Sequence, residues 1–196
     1  MSGAPAGVSV RVAHVCLPMP GEVQNGDAVL IRQNEHKQAM LAVIDGLGHG
    51  PDAAKASHAA IEQLSLMPIA TPVLEAMQAM HQALRHTRGA AATLCVINGF
   101  QLEVCAVGNV QLMCTNVVVP LVLSAGVLGH QVAKFRVSAS LIKPGARIAL
   151  LSDGISTRFR LEDMKAHAPA EACHFIMNRY RRKEDDATVL IADIDA

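Results

Sequence analysis

Apolar and polar residues alternate from Val8 to Leu17. Val8, Val10 and Val12 share one face and Ser9, Arg11 and Ala13 the other, which predicts a strand stopped by Pro18 and Pro20. After a turn-rich link from Gly21 to Gly26, Ala28 to Ile31 and Gln38 to Ile44 read as two more strands joined by the polar residues Gln33 to Lys37. The period then changes. Pro51 to about Met67 carries alanines and a buried stripe through Ile61 and Leu64, predicting a helix that lies close on a sheet and stops at Pro68. Thr71-Pro72 predicts a second helix, with Thr71 as N-cap. Val73, Met77, Met80 and Leu84 form its apolar face, Arg85 and Arg88 its last turn, and Gly89 its end. The methionines read as core filling.

Strand signals follow one another from there. Ala91 to Ile97 and Gln101 to Val107 flank Asn98-Gly99, a strong hairpin signal. Val110 to Thr115, Val117 to Leu123, Lys134 to Leu141 and Arg147 to Leu151 continue the series, separated by Gly108-Asn109, the loop Gly126 to Gly129, and Pro144-Gly145. Ala170 to about Arg181 predicts a third helix, and Asp186 to Ile194 a closing strand. Hairpin-linked strands with grouped helices indicate the α+β class, with roughly ten strands in two face-to-face sheets and helices outside. No repeat or low-complexity linker divides the chain, so residues 1–196 read as one domain.

Composition narrows the possibilities. Just over half of the residues are apolar, yet there is no Trp, one Tyr and four Phe, so the core is aliphatic and methionine-rich. Net charge is zero, which argues against broad nucleic-acid binding. Met1 to Gly7 lacks the basic and apolar regions of a signal peptide, and no apolar run approaches a membrane span. The five cysteines form no Cys-x-x-Cys pair and sit in strand-like contexts. They read as small hydrophobes in a reducing compartment, and the protein as cytoplasmic, without a membrane segment.

The candidate chemistry lies in acids at strand ends. Ala42 to Asp45 runs apolar residues up to one carboxylate, and Gly46, Gly48 and Gly50 follow before Pro51. Asp27 begins a strand after a glycine, Asp153 ends one before a glycine, and Asp185 with Asp186 precedes the last. Strands far apart in sequence can bring such ends together. Carboxylates converging there repel one another unless cations neutralise them. Hard divalent ions, Mg²⁺ or Mn²⁺, suit oxygen donors. Two such ions roughly 3.5 to 4 Å apart share and deprotonate a water and clamp a phosphate for in-line attack. No persuasive Ser-His-Asp or Cys-His arrangement competes with this reading.

Gly26-Asp27, Asp45-Gly46-Leu47-Gly48-His49-Gly50, Gly108-Asn109, Pro144-Gly145, Ser152-Asp153-Gly154 and Asp185-Asp186-x-Thr188 together resemble the ordered motifs of metal-dependent (PPM, type 2C-like) serine/threonine phosphatases, most nearly the bacterial SpoIIE-like branch. The compact length and the Asp-Gly-Leu-Gly-His-Gly signature are similar to members acting in stressosome feedback. The resemblance runs from about Val8 to Ile194. It implies a four-layer α-β-β-α sandwich. It further implies two ions, with Asp45 bridging them, Asp27 and the Gly46 carbonyl holding one, and Asp153 and Asp185 the other. Asp45 and Asp153 would be the catalytic pair. Asp186 stands where many relatives carry Asn. The implied partners are phosphorylated STAS-domain stressosome proteins, and the implied form is a monomer.

The chain also departs from the family pattern. Leu47 occupies the place of the histidine proposed as general acid in eukaryotic members, and His49, two residues on, reads as a turn histidine bonded to backbone. Leaving-group protonation would then fall to water. Arg11 is a doubtful counterpart of their phosphate-binding arginine, and the chain is shorter than many relatives, which argues against a large flap beside the site. The basic run Arg179 to Lys183 reads as a solvated helix end that could steer an acidic phosphoprotein, and Ser124 to Gly129 as a strand connection or a flank of the site. The alternatives are a non-catalytic docking module, a hydrolase of small phosphoesters, and a phosphatase of anti-sigma-factor antagonists.

Overall fold

The computed structural model describes residues 8–195. Residues 1–7, read above as lacking a leader, lie outside that range. Nine strands and three helices are present among the described residues. One sheet has the order β1 (Ser9–Leu17), β9 (Ala187–Asp195), β8 (Ala146–Leu151), β6 (Gln111–Cys114). The other has the order β2 (Asp27–Gln33), β3 (Gln38–Gly46), β4 (Ala90–Asn98), β5 (Gln101–Val107), β7 (Val137–Leu141). Every pairing is antiparallel. Helices α1 (Pro51–Ser65) and α2 (Val73–Ala83) cover the five-stranded sheet, and α3 (Pro169–Tyr180) covers the other.

The four layers enclose three apolar seams, which explains why the central strands are unbroken apolar runs. Successive side chains point to opposite faces of a strand. Met40, Ala42 and Ile44 of β3 therefore meet Ala56, Leu64, Met77 and Met80 of the helices. Leu41 and Val43 meet Ile148, Leu150, Leu190 and Ala192 across the sandwich. Ala149, Val189 and Ile191 pack on Cys173 and Ile176 of α3. Small side chains such as Ala53 and Ala56 keep α1 close to its sheet. Cys95, Cys105 and Cys173 are buried, as expected of small hydrophobes, whereas Cys16 and Cys114 are half-buried.

Local differences have physical causes. Thr71 does not cap α2: its hydroxyl donates to the Pro68 carbonyl (2.7 Å), and Pro72, in extended conformation, takes the N-cap position. The helix stops at Ala83, where Leu84 to Gly89 turn instead, so Arg85 and Arg88 lie on a loop. Val117 to Leu123 forms no strand. Pro120 removes a donor, and Val117, Val119 and Leu121 pack on the inter-sheet core while Val118 is 91% exposed. β7 begins at Val137, three residues after the expected start at Lys134.

Arg147 is a buried charge inside β8. Its guanidinium donates to both Asp193 carboxylate oxygens (2.6 and 2.7 Å) and to the carbonyls of Met164 and His167. It thereby holds the 3₁₀ turn Leu161–Met164 and the start of α3 to the sheet. Arg147→Ala leaves Asp193 and two carbonyls without their donor. The expected cost is about 3–5 kcal/mol, read as a lowered urea midpoint.

Candidate active site

Asp27 and Asp45 face each other in register at one end of the five-stranded sheet. Beyond them the Gly46 amide donates to the Gly26 carbonyl (3.1 Å), and the Leu47 amide donates to the Gly89 carbonyl (2.9 Å), turning the chain away from its strand partner. Gly46 has no room for a side chain, since a Cβ would run into the Ala53 carbonyl of α1. The glycine after the acid is thus required by helix-to-strand packing.

The other sheet delivers its acids through a matching turn. After β8, the Ser152 amide donates to the Thr188 carbonyl (3.1 Å) and the Thr188 amide donates to the Ser152 hydroxyl (2.9 Å), which sets Asp153 beside Asp185. Gly154 lies against the Asp186 carbonyl with no space for a Cβ. Asn109, in the turn after β5, donates to the Asp153 carboxylate (2.7 Å). Asp45, Asp153, Asp185 and Asn109 line a small cleft of about 120 Å³ together with Leu47, Gly48 and Ala91. Asp27, in register with Asp45, is 4% exposed, with one carboxylate oxygen lacking any hydrogen-bond partner.

No lysine, arginine or histidine forms an ion pair with Asp27, Asp45, Asp153 or Asp185 among the described residues. Burial, and then the neighbouring charges of Asp27, Asp153, Asp185 and Asp186, push Asp45 up to about 9. Burial raises Asp27 to about 7 against the opposing pull of the Ser152 and Thr188 hydroxyls. Burial, then Asp153, also raises Asp185. An unpartnered buried oxygen amid crowded, uncompensated carboxylates is a donor set that fits hard divalent cations. No three His, Cys, Asp or Glu side chains close round one point among the described residues.

All five sequence-predicted positions, Asp27, Asp45, Gly46, Asp153 and Asp185, therefore lie at the same end of the sandwich. Asp186 is differently engaged: its two oxygens accept the Met19 and Gly26 amides (2.7 and 2.9 Å). His49 is bonded to the Glu22 carboxylate (2.7 Å) rather than to backbone. Arg11 pairs with Asp195 (2.6 Å) at the end of the β1–β9 ladder opposite the one where Asp185 enters β9, so it lies away from the cleft. The basic run is only partly solvated, because Arg181 donates to the Pro18 carbonyl and the Arg182 amide donates to the Gly154 carbonyl. Ser124 bridges β5 and so connects strands. The orienting role of Asn109 was not foreseen, although its place after a turn glycine was the available signal.

Two antiparallel sheets with helices outside and carboxylates from both sheets at one end define the metal-dependent, PP2C-type serine/threonine phosphatase class. The comparisons with known proteins agree. The family described as Stage II sporulation protein E (SpoIIE) matches residues 35–195, and the chain belongs to that family. It is similar to phosphoserine phosphatase RsbX of Bacillus subtilis (strain 168), with 26% identity over 176 residues, 86% of this chain and 87% of that one. A structure of RsbX with magnesium superposes with a TM-score of 0.83 at 22% identity, covering 95% of this chain and 96% of that one. A structure described under the bacterial stressosome as a modular system controlling secondary messenger signalling has a TM-score of 0.84 at 29% identity, covering 95% and 100%. The catalytic domain of the phosphatase PstP, in complex with two manganese ions, shares the fold with a TM-score of 0.74 at 21% identity, covering 96% and 100%.

Proposed function

We propose that this chain, as one domain over residues 1–196, removes phosphate from phosphoserine or phosphothreonine on STAS-domain stressosome proteins and so resets a bacterial stress-signalling pathway. The observation that carries the chemistry is the set of unpaired carboxylates drawn from two sheets into one cleft. The kinship to RsbX and to a stressosome-associated structure supports the signalling context. No helix among the described residues is long and apolar enough to cross a membrane. The reading adopts a cytoplasmic monomer.

Two Mg²⁺ or Mn²⁺ ions would be held there, with Asp45 shared, Asp27 and the Gly46 carbonyl on one side, and Asp153 and Asp185 on the other. When bound, such ions supply charge neutralisation and acidify water at neutral pH. The chain's own residues do the positioning. Asn109 fixes the orientation of Asp153. Asp186 fixes the loop that carries Gly26 and Asp27. His49, paired with Glu22 and exposed, serves that pair, so the proton for the departing seryl or threonyl oxygen comes from water.

The test is phosphate release from a phosphorylated STAS-domain scaffold protein with Mn²⁺, with Mg²⁺ and with chelator. Release is expected with either ion and is lost in chelator. Binding to the scaffold without release under every metal would overturn the reading in favour of a docking module.

A further inference from the structure

Beside the acidic cleft lies a second, larger concavity of opposite character. It is open, about 750 Å³, and carries Lys55, His86, Arg88 and His130 against one acid, Asp52. Leu47 and Gly48 line both spaces, so the groove continues the cleft outward from Asp45. Its volume far exceeds the space one phosphoryl group needs.

Arg88 is the residue at the junction. A Cβ on Gly48, which has φ +84°, would sit 3.2 Å from an Arg88 guanidinium nitrogen, so the bare backbone lets the cation come close to the turn that follows Asp45. The other guanidinium nitrogen pairs with Asp52 at 3.1 Å. Both side chains are more than half exposed, and such a pair contributes little. Its loss to a competing anion is therefore inexpensive. Behind it the wall is fixed: the His130 ring nitrogen bonds the Arg88 carbonyl (2.9 Å), and the Gly89 carbonyl accepts the Leu47 amide (2.9 Å).

We infer that this groove takes the polypeptide on either side of the phosphoresidue and selects acidic flanks, with Arg88 exchanging Asp52 for a substrate carboxylate and Lys55 adding a second cation. The inference rests on the phosphatase reading above and names the substrate class of that same site: phosphopeptides with Asp or Glu near the phosphoserine or phosphothreonine.

The experiment compares three substrates on the full chain with Mn²⁺: an acidic-flanked phosphopeptide, the same peptide with neutral flanks, and p-nitrophenyl phosphate. Wild type is expected to favour the acidic peptide. In Arg88→Ala its KM rises about fivefold to tenfold with kcat within about twofold. Neutral peptide and p-nitrophenyl phosphate change little. Arg88→Lys restores part of the preference, Lys55→Ala weakens it independently, and Asp52→Asn strengthens it. Equal KM changes on both peptides, or none, overturn the inference. A comparable loss on p-nitrophenyl phosphate overturns it too, because Arg88 would then act on the phosphoryl group itself. Absence of turnover by wild type on all three substrates instead removes the phosphatase reading.

Discussion

Asp45→Asn is expected to lower metal-dependent phosphate release at least about a thousandfold, equivalent to several kcal/mol of transition-state stabilisation. The amide keeps the size of the side chain but withdraws the one carboxylate assigned to both ions. The same substitution should leave the fold intact and, in chelator at pH 9, raise Tm above wild type. In wild type the carboxyl is pushed up to about 9 by burial and then by Asp27, Asp153, Asp185 and Asp186, so ionising it in the metal-free fold is unfavourable. An amide cannot ionise. Turnover of a phosphorylated scaffold and thermal unfolding, measured on the same preparation, check both halves. Retained turnover would remove Asp45 from the bridging role.

Metal-free protein should lose stability progressively as pH rises from about pH 4 to pH 9. Asp27 and Asp45 titrate at about 7 and about 9 in the fold, above the ordinary aspartate value near 3.9. A raised carboxyl binds its proton more tightly in the folded chain than in the unfolded one. Its contribution is therefore complete below about pH 4 and fades as pH climbs through 7 and then 9. Mn²⁺ favours the ionised form and competes with the proton, so the Tm increment it confers should grow with pH. Thermal unfolding from pH 5 to 9, with chelator and with Mn²⁺, measures this. A chelator curve that is flat or rising over that interval would mean the acids do not crowd as described.

Most strand positions and the strand-end placement of Asp27, Asp45 and Asp153 were legible in the sequence, because a strand buried on both faces is an apolar run and the acid at its end interrupts it next to a glycine. Gly46 and Gly154 show why that punctuation is readable: each faces a carbonyl that leaves no space for a Cβ. What escaped was long-range. Thr71 had the chemistry of a cap, yet its hydroxyl found the Pro68 carbonyl first. Val117 to Leu123 had strand composition, but Pro120 and the packing of alternate residues onto an existing core left it without a ladder. Arg147 opens a predicted strand, and only the fold brings Asp193 and two carbonyls around it. Arg88 read as a helix-end cation because the turn that ends α2 early lies in backbone hydrogen bonds that the local pattern does not encode.

Asp186 carries a mechanical consequence. Its carboxylate belongs to the chain entering β9, while the amides it holds, at Met19 and Gly26, belong to the crossing that leads from one sheet to the other. A carboxylate can accept at both oxygens at once, whereas an asparagine side chain offers a single acceptor oxygen. The mouth of the sandwich is thereby riveted shut at one point, and widening it would break two charge-assisted bonds together. The jaw that carries Asp27 and Asp45 and the jaw that carries Asp153 and Asp185 are held at a set gauge. Cations of unequal radius would then be accommodated by exchanging coordinated water, with the protein frame standing still.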